Sequence, residues 1–194
     1  MKASSTWKGL RVSMVAVSAL TMIACFGQPY PRAEHMVPQL AQTLGPKVAS
    51  KTLRVVGPTK GENPSVNPVS VGPGTGEPSP SARITLPVFG EALRNTLTQS
   101  GLFKSVTSEG KADYELSVPL FSQQMFLRSM FPVWHFTARI ETRYKLVETA
   151  SGKEIWKGAS VSQCDSDFQT PANECAMRKN LSELVDHLSR LPLE

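Results

Sequence analysis

The chain is poor in the residues that build metal centres and covalent catalysts. Its 194 residues hold three cysteines and three histidines. His35, His135 and His187 have no second histidine or cysteine at ligand spacing beside them, and the gap between Cys164 and Cys175 is no zinc spacing. A nucleophile elbow, paired catalytic carboxylates and a dinucleotide fingerprint are all missing. Ser108-Glu109-Gly110-Lys111 has a serine–lysine spacing but falls in a turn without the companion motifs of that chemistry. Gly72-Pro73-Gly74-Thr75-Gly76 lacks the Gly-Lys-Ser/Thr ending of a phosphate loop. Asp165-Ser166-Asp167 offers two carboxylates where calcium takes six to eight oxygens. These absences lead to the expectation of a non-enzyme with no cofactor and no metal.

Long apolar runs are also missing. Val12 to Ala24 is an uncharged run too short for the roughly 20 residues of a bilayer-spanning helix, and it follows Lys2, Lys8 and Arg11. A basic start and a short apolar segment are the pattern of a secretory signal peptide, assigned to residues 1–24. The net charge of +5 owes three of its 21 basic residues to that peptide, and none of the 16 acids lies there. The remaining chain is close to neutral, so the charge balance argues against a nucleic-acid partner.

Met22-Ile23-Ala24-Cys25 resembles the lipobox of bacterial lipoproteins. The resemblance implies that Cys25 is acylated, palmitate included, and becomes the first mature residue. The other reading is a buried cysteine closing an uncleaved helix. Phe26 stands where an aspartate would retain such a protein at the inner membrane of enteric bacteria, so the expected location is the periplasmic face of the outer membrane. Claiming Cys25 for lipid leaves Cys164 and Cys175 as a pair in an oxidising compartment, and a disulfide is expected between them, with free thiols or a metal pair as the alternatives.

Residues 25–52, with Pro29, Pro31, Pro38 and Pro46, read as a lipid-anchored tether. Residues 53–194 read as one α+β domain, interrupted at 57–81 by a disordered insert with six prolines and five glycines. Leu53 to Val56 is the first strand. Thr85, Pro87 and Gly101 bracket a helix carrying Phe89, Leu93 and Leu97 on one face, and Lys104 to Thr107 form a short strand. Tyr114, Leu116, Val118 and Leu120 alternate along a strand, and the alternation from Trp134 to Leu146 marks the expected central strand. A turn at Thr149 to Gly152 pairs Glu148 with Lys153, which sets Ile155 opposite Leu146 and Trp156 opposite Lys145, near Arg143. Trp156 then either makes a cation–π contact on the polar face or is a strand-end side chain covered by tether or loop. Thr170 and Pro171 open a last helix with Ala176, Met177, Leu181, Leu184, Val185 and Leu188 at helical spacing. The expected fold is a three- to five-stranded, mainly antiparallel sheet with two helices on one face.

The connection from Met125 to Trp134 should be polar but carries seven large apolar residues. It is either a hairpin end folded over the core or an exposed tip for a lipid or a protein. The contact residues expected are Phe126, Leu127, Met130, Phe131 and Trp134, with Trp156, Arg143 and Lys145.

The order of these features, with Ser100-Gly101-Leu102-Phe103, Ala112-Asp113-Tyr114-Glu115-Leu116 and Gly152-Lys153-Glu154-Ile155-Trp156, resembles small envelope lipoproteins of Gram-negative bacteria. It is similar in layout to auxiliary lipoproteins of ABC-type transport systems and to the lipoprotein of lipopolysaccharide assembly, over residues 83–190. The resemblance implies a non-catalytic accessory or scaffold in envelope assembly or lipid transport, bound to the membrane through Cys25 and to an envelope protein partner. The rival reading is a ligand-binding module for an anionic glycan or lipid headgroup.

Overall fold

The computed structural model describes residues 30–39, 48–57, 75–76, 82–129 and 135–193. The signal peptide, Cys25, most of the 57–81 insert and Met130, Phe131 and Trp134 lie outside these residues.

In chain order the elements are α1 (Ala33–Met36), β1 (Val48–Val56), β2 (Thr75–Gly76), α2 (Leu86–Ser100), β3 (Phe103–Thr107), β4 (Tyr114–Ser129), β5 (His135–Glu148), β6 (Glu154–Ser166) and α3 (Gln169–Arg190). The fold is α+β. Five strands run in the order β3-β1-β4-β5-β6, and β2 pairs separately with β4. β4 pairs antiparallel with β5, and β5 with β6, whereas β1 is parallel to both β3 and β4. Among the described residues the sheet is therefore mixed: the β2–β4, β4–β5 and β5–β6 pairings are antiparallel, in keeping with the mainly antiparallel expectation, and the two pairings of β1 add a parallel part that the expectation lacked. β4, not β5, takes the middle place in the five-strand order, because β1 closes on its far edge.

Local chemistry accounts for α2. Pro87 sits in its first turn, Gly101 ends it at φ 65°, and the Gly101 N–H donates to the Thr98 carbonyl. Thr85 is the N-cap residue without a side-chain capping bond. Phe89, Ala92, Leu93, Thr96, Leu97 and Ser100 are all buried, and Phe89 stacks on Phe121 of β4 with ring centroids 4.6 Å apart. In α3 the six predicted apolar positions are buried as well. That helix starts at Gln169, so Thr170 lies inside it, not at its cap.

Two single-residue irregularities decide which side chains enter the core. The first is in β4. Ser117 pairs with Lys145 and Leu120 with Arg143, so β4 carries one residue more than β5 at Val118–Pro119. Proline has no N–H for the ladder, and a bulge is where a strand accommodates it. Beyond it the buried set moves from Tyr114, Leu116 and Val118 to Phe121 and Met125, which puts Leu120 on the other face.

The second irregularity is in β6. The Glu148 N–H donates to the Lys153 carbonyl at 2.9 Å, as the turn requires, but Val147 pairs with Glu154 and Leu146 with Trp156. Ile155 is the extra residue. Since side chains alternate with a period of two, one inserted residue reverses every later side chain. Trp156 consequently packs on the helix-covered face, its ring 5.9 Å from that of His187 in α3. Ser160, Ser162 and Cys164 are buried, while Val161 is 46% exposed. The pairing of Trp156 with Lys145 and a cation–π contact to Arg143 are thereby corrected.

The helices share one face of the sheet. Asn180 of α3 sits at the centre of that interface: its Oδ1 accepts from the hydroxyls of Thr142 (2.7 Å) and Tyr144 (2.8 Å), and its amide donates to the Ser160 carbonyl at 3.1 Å.

Residues 32–39 fall in the expected tether, yet part of this stretch is packed. Ala33 and Met36 are buried and belong to the core cluster, with α1 against both α2 and α3. The tether expectation is corrected here. Two apolar residues three apart on a single helical turn suffice to fill the gap between the longer helices.

Candidate functional site

The site with the most chemistry in view is the end of the sheet where β4 finishes, β5 begins and β6 runs into α3. His135 pairs with Ser129, and Phe136 with both Leu127 and Ser166, so these chain segments converge. Phe126 pairs with Thr137 on the open face, while Leu127 pairs with Phe136 on the helix face. Both Phe126 and Leu127 are half-buried. The two expected contact residues of the tip that fall within the described residues therefore diverge onto opposite faces, and Met125 is buried on the same side as Leu127. No common patch forms from them.

A polar set lies beside them. Thr137 is buried on the open face, donates to an oxygen of Asp165, and accepts from Nε of Arg128 at 3.1 Å. His135 Nδ1 stands 3.1 Å from Asp167 Oδ1, with both side chains more than half exposed. A cavity of about 370 Å³ is lined by Arg128, His135, Phe136, Thr137 and Asp165. The threonine hydroxyl is engaged as donor and acceptor at once, which suits an ordering contact better than a nucleophile. Among the described residues no group of three or more His, Cys, Asp or Glu side chains could hold a metal ion.

Cys164, near the end of β6, is bonded to Cys175 in the second turn of α3, with the Cα atoms 5.8 Å apart. The bridge joins the strand to the helix that follows it. Closing a loop of this length contributes about 3 kcal/mol by restricting the unfolded chain.

The sequence reasoning missed a second constellation at the same end. The Arg32 N–H donates to Glu174 Oε1 at 3.0 Å, and His35 Nδ1 lies 3.2 Å from both carboxylate oxygens. Because the carboxylate only accepts, Nδ1 carries the hydrogen. Arg178 donates from Nε and Nη2 to the His35 carbonyl at 3.0 and 2.6 Å. Glu174 is 8% exposed, so its charge is kept from water and satisfied by these donors. The available signal was Ala33 and Met36 at helical spacing between Pro31 and Pro38.

The remaining predicted contacts lie far from this end. Arg143 is 57% exposed and 3.7 Å from Glu141, and Lys145 is 3.4 Å from Glu154. With Arg54 paired to Glu115, three basic side chains of the open face have an acidic neighbour.

No protein-family model and no curated protein matches the chain. Among solved structures it is similar to a Xanthomonas campestris protein of the family-model DUF330, at 15% identity over 83% of this chain and 90% of that one, TM-score 0.45. It is also similar to a minor lipoprotein from Acinetobacter baumannii, at 14% identity over 73% of this chain and 96% of that one, TM-score 0.46.

Proposed function

We propose that the protein is an envelope lipoprotein, acylated at Cys25 and held at the periplasmic face of the outer membrane, where it serves as a non-catalytic accessory or scaffold in envelope assembly or lipid transport. The observation that carries this reading is the fate of the three cysteines. Cys164 and Cys175 are bonded to each other, which suits an oxidising compartment and leaves Cys25, at the end of a signal-like segment, as the one remaining thiol. The scaffold role is favoured over an anionic-ligand module because acids interleave the basic side chains of the open sheet face, as in Arg143–Glu141 and Lys145–Glu154. Such pairing weakens the field that would attract an anionic headgroup.

Fatty-acid labelling of the full chain tests the anchor. Label is expected on the wild type and absent from Cys25→Ser, and retained label on the variant overturns the assignment. Co-purification of a stable envelope protein in detergent supports the scaffold. Salt-sensitive binding to anionic envelope lipids, reduced in Arg143→Ala plus Lys145→Ala, would favour the ligand-binding module instead.

A further inference from the structure

We infer that the end of the sheet where β4, β5 and β6 meet the start of α3 is the face that rests on the lipid bilayer, with Tyr30 and Phe168 as its interfacial anchors. This rests on the reading of Cys25 as the acylated residue.

The first support is the course of the chain. Arg32 bonds to Glu174 and the His35 carbonyl to Arg178, so residues 32–35 run alongside α3 in its own direction, and their upstream end points to its N-terminus. Glu174 lies five residues from the start of α3, about 7.5 Å along its axis. Tyr30 is five residues on from Cys25, a reach of at most about 18 Å. A chain anchored at Cys25 and docked from Arg32 onward holds this end of the domain close to the membrane. A free tether over residues 25–52 would allow roughly 90 Å at full extension, and that reach is not available.

The second support is independent of the anchor. Among the described residues three large apolar side chains are exposed: Tyr30 at 72%, Phe168 at 57% and Val161 at 46%. The two aromatic ones lie at this end. Phe168 is the residue that precedes α3, and Tyr30 stands two residues before the contact with Glu174. Aromatic rings that are apolar in body and tolerate the headgroup layer are the side chains that suit a membrane–water interface. Acids stand among the bases nearby, Glu34 at 3.9 Å from Arg32 and Asp167 at 3.1 Å from the His135 ring, so this end presents no basic patch. The contact is therefore made by the rings and not by attraction to anionic lipid, and it does not weaken in salt.

The test uses the full chain, matured in a bacterial envelope and reconstituted into phosphatidylethanolamine–phosphatidylglycerol vesicles with brominated acyl chains. Tyr30→Trp, Phe168→Trp and Val161→Trp are compared with the wild type, all three at exposed positions that tolerate substitution. The tryptophans introduced at 30 and 168 are expected to shift to the blue and lose most of their emission to the bromines, at low and high salt alike. The one at 161 should keep its emission. Equal quenching at 161, or none at 30 and 168 in a chain that carries fatty acid, overturns the orientation and leaves the anchor standing. Protection of 30 and 168 only when an envelope protein is added would assign the rings to that partner and also overturn it. A chain without fatty acid at Cys25 overturns the anchor and this orientation together.

Discussion

Asn180 shows how one polar side chain specifies a helix–sheet contact. It is fully buried, and its Oδ1 serves the hydroxyls of both Thr142 and Tyr144. Replacing it by leucine strands two buried hydroxyls, so Asn180→Leu should cost about 3 kcal/mol in urea unfolding, whereas Tyr144→Phe should cost about 1 kcal/mol. Burial pushes the Tyr144 hydroxyl well above its usual value, the neutral form being the one the core accepts. A raised folded pKa contributes stability that is complete below about pH 10 and is lost as the pH climbs through the folded value. Tyr144→Phe should therefore lose less stability than the wild type on the alkaline side. A second residue-scale constraint is Gly158. A Cβ there would lie 2.2 Å from Cζ2 of Trp156, whose ring covers the glycine. Gly158→Ala is expected to destabilise by about 1–3 kcal/mol, and much of that cost should vanish in a Trp156→Ala background. Equal costs in the two backgrounds would show that the ring does not occupy the glycine's space.

Among the elements, those whose ends are written in local chemistry were legible beforehand. α2 could be bounded by Pro87 and Gly101 because N1/N2 proline and a left-handed C-terminal glycine act within one turn. The register of β6 was not legible in this way. The turn pairing of Glu148 with Lys153 is correct, but the bulge at Ile155 is chosen by what the face must bury. With the bulge, Trp156 meets α3 and Ser160 and Ser162 find partners in Glu183 and the Ala176 carbonyl. Without it, Ala159 and Val161 would face the helix and Trp156 the solvent. The helix surface, fixed by residues twenty positions downstream, selects the bulged strand. Its consequence for the candidate site is direct, since Trp156 leaves the open face on which Arg143 and Lys145 remain.

On the scale of the whole molecule, the docking of residues 32–36 converts an expected spacer into part of the core. Met36 is the side chain that holds it, fully buried against the helices. Met36→Asp places a charge there and should free the segment. Hydrogen exchange would then show the His35 amide, bonded to the Arg32 carbonyl at 3.1 Å, becoming fast while β5 and β6 amides stay slow. Unchanged protection at His35 would mean that Glu174 and Arg178 hold the segment without the methionine. In the freed variant the domain regains the reach of a tether, and the quenching at Phe168→Trp should fall with it.

The sequence by itself determined the α+β class, the two long helices, the central part of each main strand and the pairing of Cys164 with Cys175, because each depends on side-chain periodicity, local capping or elimination among three cysteines; β1 starts earlier than expected, at Val48, and β4 runs on to Ser129 into the expected connection. Tertiary structure alone decided the parallel placement of β1, the two bulges that sort side chains between the faces, and the burial of Met36. These depend on contacts between segments far apart in the chain. A short apolar signal such as Ala33 and Met36 has no meaning until the groove that receives it has formed.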